Sequence, residues 1–266
     1  NKNMKITIIG LGVVGKALLH GFQKLGHDCL TIDKNNVSDF KKVINSKIVF
    51  LTLPTPLKKN KLDQSIIEMY LKKLSKINYK GLVVIKSTIL PGSTDSYIKI
   101  FKNLNISYVP EFLRERSAKK DFIENHDLLI IGTKNKKHFQ LIKKAHGKFP
   151  KKTIQAEIIN TEFIKLYSNI YNAIRITFAN SFYDVVQKTN GNYNEILKTY
   201  LLLNKSSGYY LKSSESLRGF AGACLPKDLS SFIEFAKNKK VNSSFLTSVK
   251  KYNNSIKKTV FKNMRK

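Results

Sequence analysis

The sequence predicts an α/β protein in which an N-terminal doubly wound parallel sheet is followed by a second, all-helical domain. Three observations lead to this prediction. Short apolar runs alternate with helical patterns through residues 1–152. A glycine-rich turn joins the first apolar run to the first helical pattern. Beyond residue 152 only helical patterns follow, so we expect one domain over residues 1–152 and a second over 153–266.

The apolar runs of the first domain have the length of buried strands. They lie at residues 5–9, 29–32, 48–53, 82–85, 106–109 and 128–131. Helical patterns separate them, for example at 14–25 and 64–75. This alternation is typical of βαβ units, whose right-handed crossovers place helices on both faces of a parallel sheet.

The second domain is predicted to begin after a lysine-rich stretch at residues 147–153. No convincing strand is predicted beyond that stretch. Apolar periodicity predicts a long helix over 156–186 and shorter helices over 193–202, 226–237 and 245–262.

The 266-residue chain carries 48 Lys and Arg against 18 Asp and Glu, a formal charge of +30. Such an excess can indicate a nucleic acid, an anionic lipid surface or an anionic substrate. Here it is almost entirely lysine and is scattered, whereas nucleic-acid binders more often concentrate arginine and aromatic residues on one element. We therefore expect no nucleic-acid partner, although the positive field would attract a diphosphate.

Membrane and export signals are not evident in the sequence. No apolar run has the length of a membrane span, and the first residues lack a signal-peptide pattern. We therefore expect a soluble cytoplasmic protein without a membrane partner.

The glycine-rich turn has the context of a dinucleotide site. Gly10, Gly12 and Gly15 follow a strand and open a helix, whose first amides, at Val13 and Val14, would face a pyrophosphate. Asp33 ends the next strand at the spacing of a ribose-binding acid, which favours NAD over NADP. The first domain is therefore predicted to be an NAD-binding Rossmann domain. The alternative is a glycine-rich turn that only caps a helix.

The chain has two cysteines, too few for a disulfide framework. Cys29 lies in an apolar run and is interpreted as a small buried hydrophobe. Cys224 precedes Pro226, which is well placed at the start of a helix, so the helix dipole and Lys227 would favour its thiolate. Asp228 lies one turn into that helix. The alternative is a buried structural cysteine on a turn.

A second polar set falls on one face of the long predicted helix: Glu162, Lys165, Asn169 and Ala173. A lysine on a helix flank can serve acid–base chemistry. The alternative is an exposed Glu–Lys pair, which is the commoner case for an isolated pair at this spacing. Ligands of doubly wound sheets bind at the carboxyl ends of strands. Thr88, Glu111 and Glu115 follow such strand ends, so we expect them near a nicotinamide, unless these loops are ordinary turns.

These segments together resemble the UDP-glucose/GDP-mannose dehydrogenase family. The matching segments occur in the family's order, between about residue 4 and about residue 255. They are GLGVVG, GHDCLTID, LPTPLKKNKLD, STILPGST, PEFLRE, EFIKLYSN and GFAGACLPKD.

The resemblance implies a four-electron oxidation with two NAD, most closely that of UDP-glucose to UDP-glucuronate. The sugar C6 would pass from alcohol to aldehyde, then through a thiohemiacetal and a thioester on Cys224, to a carboxylate. Lys165 and Asn169 would stabilise the oxyanion, Asp228 and Thr88 would position a water, and Glu111 would assist thioester hydrolysis. No metal is implied.

The resemblance also implies where ligands and a second chain would bind. The cofactor would lie near Thr55, Thr88, Glu115 and Lys227, in addition to the glycine-rich turn. The sugar would contact Lys165, Asn169, the backbone of Phe112 and Leu113, and the loop of residues 220–222, which includes Phe220 and Gly222. The helical domain would form a homodimer.

Relative to the family, the sequence resembles a short form without the C-terminal UDP-binding domain. Residues 204–218 depart from the family pattern, and Ser181 stands where the family often has Glu. Two alternatives stay open. One is a two-domain hydroxyacid-type dehydrogenase that makes a single oxidation. The other is a non-catalytic or partner-dependent protein that binds NAD and a nucleotide sugar.

Overall fold

The computed structural model describes residues 3–34, 40–59, 61–204 and 210–260. The chain divides into two compact units. The first comprises residues 1–56 and 62–165, and the second comprises residues 57–61 and 166–266. The predicted division of the chain at residue 152 stays a prediction.

The first unit is built on a seven-stranded sheet. Its strands are β1 (Lys5–Ile9), β2 (Asp28–Ile32), β3 (Ile48–Leu51), β6 (Leu82–Ile85), β7 (Asn105–Tyr108), β8 (Leu128–Gly132) and β9 (Lys152–Ala156). Short strands β4 (Leu57–Lys58) and β5 (Lys61–Leu62) form a separate two-stranded sheet. The helices are α1 (Val13–Lys24), α2 (Ser65–Lys76), α3 (Ser93–Ile100), α4 (Ala118–Ile123) and α5 (Lys136–His146).

The sheet is mostly parallel, with the strand order β2-β1-β3-β6-β7-β8-β9. The first five strands in this order pair in parallel. The predicted parallel sheet has one exception at β8, which pairs antiparallel with β7 through Tyr108 and Gly132. An antiparallel neighbour needs no crossover back to the same end of the sheet. Strand β9 then pairs parallel to β8, so these last two strands run opposite to the others.

Helices cover both faces of the sheet, which confirms the doubly wound prediction. Because side chains alternate along a strand, Ile9 of β1 joins one apolar core while Ile6 and Ile8 join the other. Helices α2 and α3 contribute to the first core, and α1, α4 and α5 contribute to the second. The inner strands β1, β3, β6, β7 and β8 are buried on both faces along nearly their whole length, as their continuous apolar runs predict, whereas the edge strands β2 and β9 are only partly buried.

Strand β9 was not predicted. Its sequence, KTIQA, has one strongly apolar residue, and the strand lies at the sheet edge with only partial burial. It nevertheless pairs in register with β8, from Leu128 opposite Lys152 to Gly132 opposite Ala156. The prediction that no strand follows the lysine-rich stretch is therefore wrong, because backbone pairing with a buried neighbour outweighs a weak apolar signal.

The second unit is formed mainly by helices, as predicted. They are α6 (Ile158–Lys188), whose first residues belong to the first unit, α7 (Tyr193–Asn204), α8 (Leu225–Asn238) and α9 (Ser244–Ser255). One core gathers Leu166 and Ala173 from α6, Leu229 from α8 and Val249 from α9. A second core packs the end of α6 against α7.

The predicted helix over 245–262 ends earlier, because the backbone becomes extended at Ile256. Residues 261–262 of that prediction, and residues 205–209 of the segment that departs from the family pattern, lie outside the described residues. In the described ranges, no helix combines the length and apolar character that a membrane span requires.

Candidate functional site

The glycine-rich turn lies at the topological switch point of the sheet, where β1 has β2 on one side and β3 on the other. Gly10 follows β1 with a positive φ of 97°, which favours glycine. Its N–H donates to the Ile32 carbonyl at 2.8 Å. Its carbonyl accepts a 2.6 Å hydrogen bond from the Thr52 hydroxyl. Both neighbouring strands therefore hold the turn in place.

The other two glycines differ in what requires them. A Cβ on Gly15 would lie 1.9 Å from the Gly10 carbonyl oxygen, so close packing of α1 on β1 excludes any side chain there. A Cβ on Gly12 would meet nothing within 4 Å. Gly12 is the N-cap of α1 and makes no side-chain capping hydrogen bond. Packing thus explains Gly15 but not Gly12, and open space before a helix N-terminus fits the approach of a pyrophosphate.

Asp33 directly follows β2, whose Ile32 lies opposite Ile9 of β1 in the parallel register. Gly10 and Asp33 therefore begin neighbouring loops at the same edge of the sheet. Asp33 is half-buried, and Val13 at the start of α1 is exposed. This arrangement can accept the ribose hydroxyls and the diphosphate of NAD, as the sequence pattern predicts.

Two predicted threonines lie together beyond β3 and β6. The Thr55 hydroxyl donates a 2.9 Å hydrogen bond to the Thr88 carbonyl. The Leu53 amide donates to the Ser87 hydroxyl, also at 2.9 Å. Thr55 is buried and Thr88 is half-buried, so Thr88 presents part of its surface at this edge of the sheet.

Glu111 is buried beside a lysine that the sequence reasoning missed. Lys86 is only 4% exposed, and its Nζ lies 3.0 Å from Glu111 Oε2. Glu111 Oε1 accepts hydrogen bonds from the amides of Phe112, at 2.9 Å, and Leu113, at 3.3 Å. Burial alone would raise the pKa of Glu111, but Lys86 and these amides hold it below its ordinary value. A lysine ending the apolar run LVVI was the available signal, because a buried lysine requires a carboxylate.

The loop after Glu111 carries the remaining predicted residues of this unit. Phe112 is exposed, and Lys165 Nζ lies 5.6 Å from the centre of its ring, within the range of a cation–π contact. Glu115 is exposed. The Arg114 guanidinium fixes the loop by a two-point contact with Asp121, at 2.8 and 2.6 Å.

Glu162 is fully buried, so it does not form the exposed ion pair with Lys165 that was the alternative interpretation. Its carboxylate accepts hydrogen bonds from the amides of Gly92, at 2.6 Å, and Thr94, at 2.9 Å. These amides begin α3, so Glu162 caps that helix from a distant part of the chain. Burial raises the pKa of Glu162. These hydrogen bonds connect the segment STILPGST, which contains Gly92 and Thr94, to the segment EFIKLYSN, which contains Glu162.

In the second unit, Asp228 is completely buried and contacts two other predicted residues. Asn169 Nδ2 donates to Asp228 Oδ2 at 2.5 Å, and Lys227 Nζ lies 3.0 Å from Asp228 Oδ1. Cys224 is the N-cap of α8 and accepts the first helical hydrogen bond from the Asp228 amide, at 2.8 Å. The alternative of a buried structural cysteine is wrong, because Cys224 is exposed.

The loop before Cys224 joins the site to the core of the second unit. The side chain of Phe220 belongs to the apolar core, whereas Gly222 is exposed with a φ of 83°. The Phe220 backbone bonds to Asn253 of α9, a residue that the sequence reasoning did not single out. Only the folded chain brings this asparagine to the loop.

Two family models match the chain. The UDP-glucose/GDP-mannose dehydrogenase family, NAD binding domain, matches residues 36–150, and the central domain of the same family matches residues 160–255. Together they cover more than half of the chain. The glycine-rich turn precedes the first matched range and adds an independent observation.

Individual proteins of this family are also similar to the chain. The UDP-glucose 6-dehydrogenase of Rickettsia prowazekii is 30% identical over 94% of this chain and 67% of that protein. The GDP-mannose 6-dehydrogenase of Pseudomonas aeruginosa is 25% identical over 95% of this chain and 69% of that protein. A solved UDP-glucose dehydrogenase from Pyrobaculum islandicum matches the fold with a TM-score of 0.87 at 21% identity, over 95% of this chain and 68% of that chain. The chain spans 64–67% of the length of the first curated relatives.

Proposed function

The chain belongs to the UDP-glucose/GDP-mannose dehydrogenase family, and from that we propose that it is an NAD-dependent nucleotide-sugar dehydrogenase. The substrate we favour is UDP-glucose, with UDP-glucuronate as the product. The observation that carries the proposal is an exposed cysteine at the N-terminus of α8, in a motif that also supplies the buried Asp228. A thiolate is both a good nucleophile towards an aldehyde and a good leaving group from an acyl intermediate.

Most of the residues that we assign to NAD lie in the first unit, and Lys227 lies in the second. Gly10, Gly12 and Gly15 would receive the pyrophosphate with the amides of Val13 and Val14, and Asp33 would bind the ribose. Thr55, Thr88, Glu115 and Lys227 would lie nearby. NAD, when bound, accepts the hydride removed in each oxidation.

The chemistry assigned to the chain's own residues begins after the first oxidation has produced the aldehyde at C6. The Cys224 thiolate adds to this aldehyde and forms a C–S bond. Removal of a hydride from the carbon of the resulting thiohemiacetal, and loss of its hydroxyl proton to solvent, leaves a thioester. Water then cleaves the C–S bond, which releases the carboxylate and restores the thiol. Two hydrides leave the sugar in total, so four electrons are transferred.

The other side chains would serve this sequence of steps. Lys165 and Asn169 would stabilise the oxyanion, Asp228 and Thr88 would position the water, and Glu111 would assist hydrolysis. The contact between Asn169 and Asp228 supports a shared role, because it fixes both side chains in one arrangement. The loop of Phe112 and Leu113 and that of Phe220 and Gly222 would bind the sugar.

A homodimer through the helical unit is part of the proposal. Along the part of α6 in the second unit, large apolar side chains recur at spacings of three, four or seven residues and are exposed: Tyr167, Tyr171, Phe178, Phe182 and Val185. Tyr167 is 75% exposed and Phe178 is 58% exposed. Exposed apolar side chains that follow one helix in this way support an interaction surface.

The test is NADH production by the purified chain with UDP-glucose, GDP-mannose and other nucleotide sugars. We expect about two NADH per UDP-glucose, and little or no acid from Cys224→Ser. Cys29→Ser is the matched control and should behave as the wild type, because Cys29 lies within strand β2 of the first unit.

Each other result of this NADH assay would change the proposed substrate, mechanism or enzymatic role. Turnover with GDP-mannose alone would change the substrate and keep the mechanism. One NADH per sugar, unaffected by Cys224→Ser, would favour a single oxidation of the hydroxyacid type. NAD binding without turnover of any sugar would overturn the proposal that this chain is an enzyme by itself.

A further inference from the structure

The backbone of Phe220 is bridged at both of its polar groups by one side chain. The Phe220 amide donates to Asn253 Oδ1 at 2.8 Å, and Asn253 Nδ2 donates to the Phe220 carbonyl at 3.0 Å. Asn253 lies on α9 and is 3% exposed, and Phe220 is also buried. A carboxamide can satisfy an adjacent donor and acceptor in this way because it carries both groups in one plane.

The two residues before Phe220 are held as well. The Gly219 amide donates to Asn180 Oδ1 of α6 at 3.1 Å. The Arg218 guanidinium forms a two-point pair with Asp184 of α6, at 2.6 and 2.9 Å, and Arg218 is buried. Three consecutive residues of the loop are therefore tied to α6 or α9.

Glycine is required at 219 by the same arrangement. Its φ is 70°, which L side chains rarely adopt, and a Cβ there would approach Asn253 Oδ1 to 3.0 Å. The close approach of Asn253 thus determines the residue that can stand at the start of GFAGAC. Beyond Phe220 the loop is exposed through Gly222, Ala223 and Cys224.

We infer that Asn253 is a positioning residue, which holds the loop of residues 218–220 and thereby places the Cys224 thiol for attack on the bound aldehyde. This inference rests on the proposed function of Cys224. Asn253 itself does not touch the reacting atoms. It acts through Ala221, Gly222 and Ala223, which connect this anchored end of the loop to Cys224 at the N-terminus of α8.

A physical argument distinguishes positioning from simple packing. An apolar side chain of similar volume would fill the same space but would leave a buried amide and a buried carbonyl without partners. The loop would then shift to reach water, and Cys224 lies only four residues beyond Phe220. A displacement of about 1 Å at a reacting group can lower a rate by roughly 100-fold.

The test uses Asn253→Asp, which keeps the size of the side chain and the acceptor for the Phe220 amide. The substitution removes the donor and sets a carboxylate oxygen against the Phe220 carbonyl. Asn254→Asp is the matched control, because Asn254 is the adjacent residue, is exposed, and undergoes the same change of charge. Asn253→Ser, which is too short to reach and adds no charge, serves if Asn253→Asp does not fold.

The first measurement is the alkylation rate of Cys224 by iodoacetamide, followed by peptide mass mapping. It needs neither NAD nor sugar, so it does not depend on the proposed activity. We expect the rate for the Asn253 variant to differ from the wild type by about fivefold or more, and that for Asn254→Asp to be unchanged. Cys29 does not interfere, because burial raises its pKa to about 11.

The second measurement is the ratio of NADH formed to sugar consumed. Misplacement of the thiol should lower this ratio from about two towards one as free aldehyde escapes, whereas a loss of folded protein would leave it unchanged. Alkylation rate and ratio both equal to those of Asn254→Asp would overturn the inference. Altered alkylation in a protein that oxidises no sugar would support positioning of the thiol and overturn the proposed function instead.

Discussion

At the scale of single residues, the least expected feature is the buried ion pair between Lys86 and Glu111. The two groups that face the pair from elsewhere in the unit are His126 and His146, and burial lowers the pKa of both histidines. Both are therefore predominantly neutral near pH 7. Lys86 is then the main cation that stabilises the carboxylate of Glu111.

Substitution of Lys86 should reverse the pH dependence that Glu111 confers on stability. In the wild type the pKa of Glu111 is below its ordinary value, so its contribution is present above that value and is lost as pH falls through the folded-state pKa. In Lys86→Met the hydrogen bonds from the Phe112 and Leu113 amides remain, but without Lys86 we expect burial to outweigh them and raise the pKa of Glu111, so stability falls as pH rises. We expect a loss of about 3–5 kcal/mol at pH 7 that shrinks on acidification.

Denaturant unfolding of Lys86→Met at several pH values measures this effect. Lys151→Met is the control, because it breaks an ion pair with Asp127 in which both side chains are largely exposed. It should cost no more than about 1 kcal/mol. If both variants lose the same small, pH-independent amount of unfolding free energy, the buried pair stabilises the protein no more than the exposed one.

At the residue scale, the sequence identified some residues of the candidate site and missed others. It identified Cys224 and Asp228, and the structure places the first on the surface and the second in the interior. It missed Lys86, although a lysine at the end of an apolar run was a local signal, and it missed Asn253, which looks ordinary in its own segment. Their importance comes from partners 25 and 33 residues away, Glu111 and Phe220, and local patterns do not contain such pairings.

At the scale of elements, the turn from β1 into α1 shows how one motif contains two kinds of requirement. Gly15 is required by the packing of the helix on the turn, whereas Gly12 borders open space. A sequence pattern records both glycines in the same way. The structure separates the glycine that the fold needs from the one that borders open space, where we propose that the pyrophosphate binds.

Alanine substitutions of these two glycines should separate stability from cofactor binding. Gly15→Ala places a Cβ 1.9 Å from a backbone carbonyl, so we expect a loss of several kcal/mol or failure to fold. Gly12→Ala should leave the melting temperature within a few degrees of the wild type and weaken NAD binding roughly tenfold or more. Thermal unfolding and calorimetric titration with NAD are the measurements.

If Gly12→Ala binds NAD as tightly as the wild type, the open space at Gly12 does not receive the pyrophosphate. If it unfolds like Gly15→Ala, the glycine serves the fold. Either result would limit the turn to the capping role considered as the alternative.

The N-terminus of helix α3 is capped by Glu162, a residue about 70 positions later in the chain. Helix α3 is only eight residues long, and a side-chain carboxylate from α6 accepts hydrogen bonds from two of its first amides. Carboxylates stabilise helix N-termini because they complement both the unpaired amides and the helix dipole. The sequence placed Glu162 on one face of α6 with Lys165 and Asn169, but its burial and its partner helix became apparent only from the fold.

At the scale of the whole molecule, the exposed apolar stripe on α6 predicts self-association. Replacing its most central aromatic residue by Phe178→Asp should convert a dimer of about 61 kDa, twice the chain mass of 30.4 kDa, into monomer. Light scattering coupled to size exclusion measures this mass. Met69→Asp is the control, since Met69 is an exposed apolar residue on α2. A wild type that is monomeric at all concentrations would refute the dimer.

The sequence by itself determined the features that depend on local pattern. Apolar runs and helical periodicity predicted most of the strands and helices, and the spacing of Gly10, Gly12, Gly15 and Asp33 predicted the switch-point turn. The family followed from several motifs in order. These predictions hold because hydrophobic periodicity and turn chemistry are properties of neighbouring residues.

Only the tertiary structure decided the rest. It showed that β8 runs antiparallel to β7 and that the weakly apolar segment β9 is a strand. Neither follows from local sequence, because strand pairing depends on a partner elsewhere in the chain. It also showed that Lys86 is buried against Glu111, that Glu162 caps α3, and that Asn253 holds the loop before Cys224. Each of these is a contact between distant segments, and its energy exists only once the chain has brought both partners out of water.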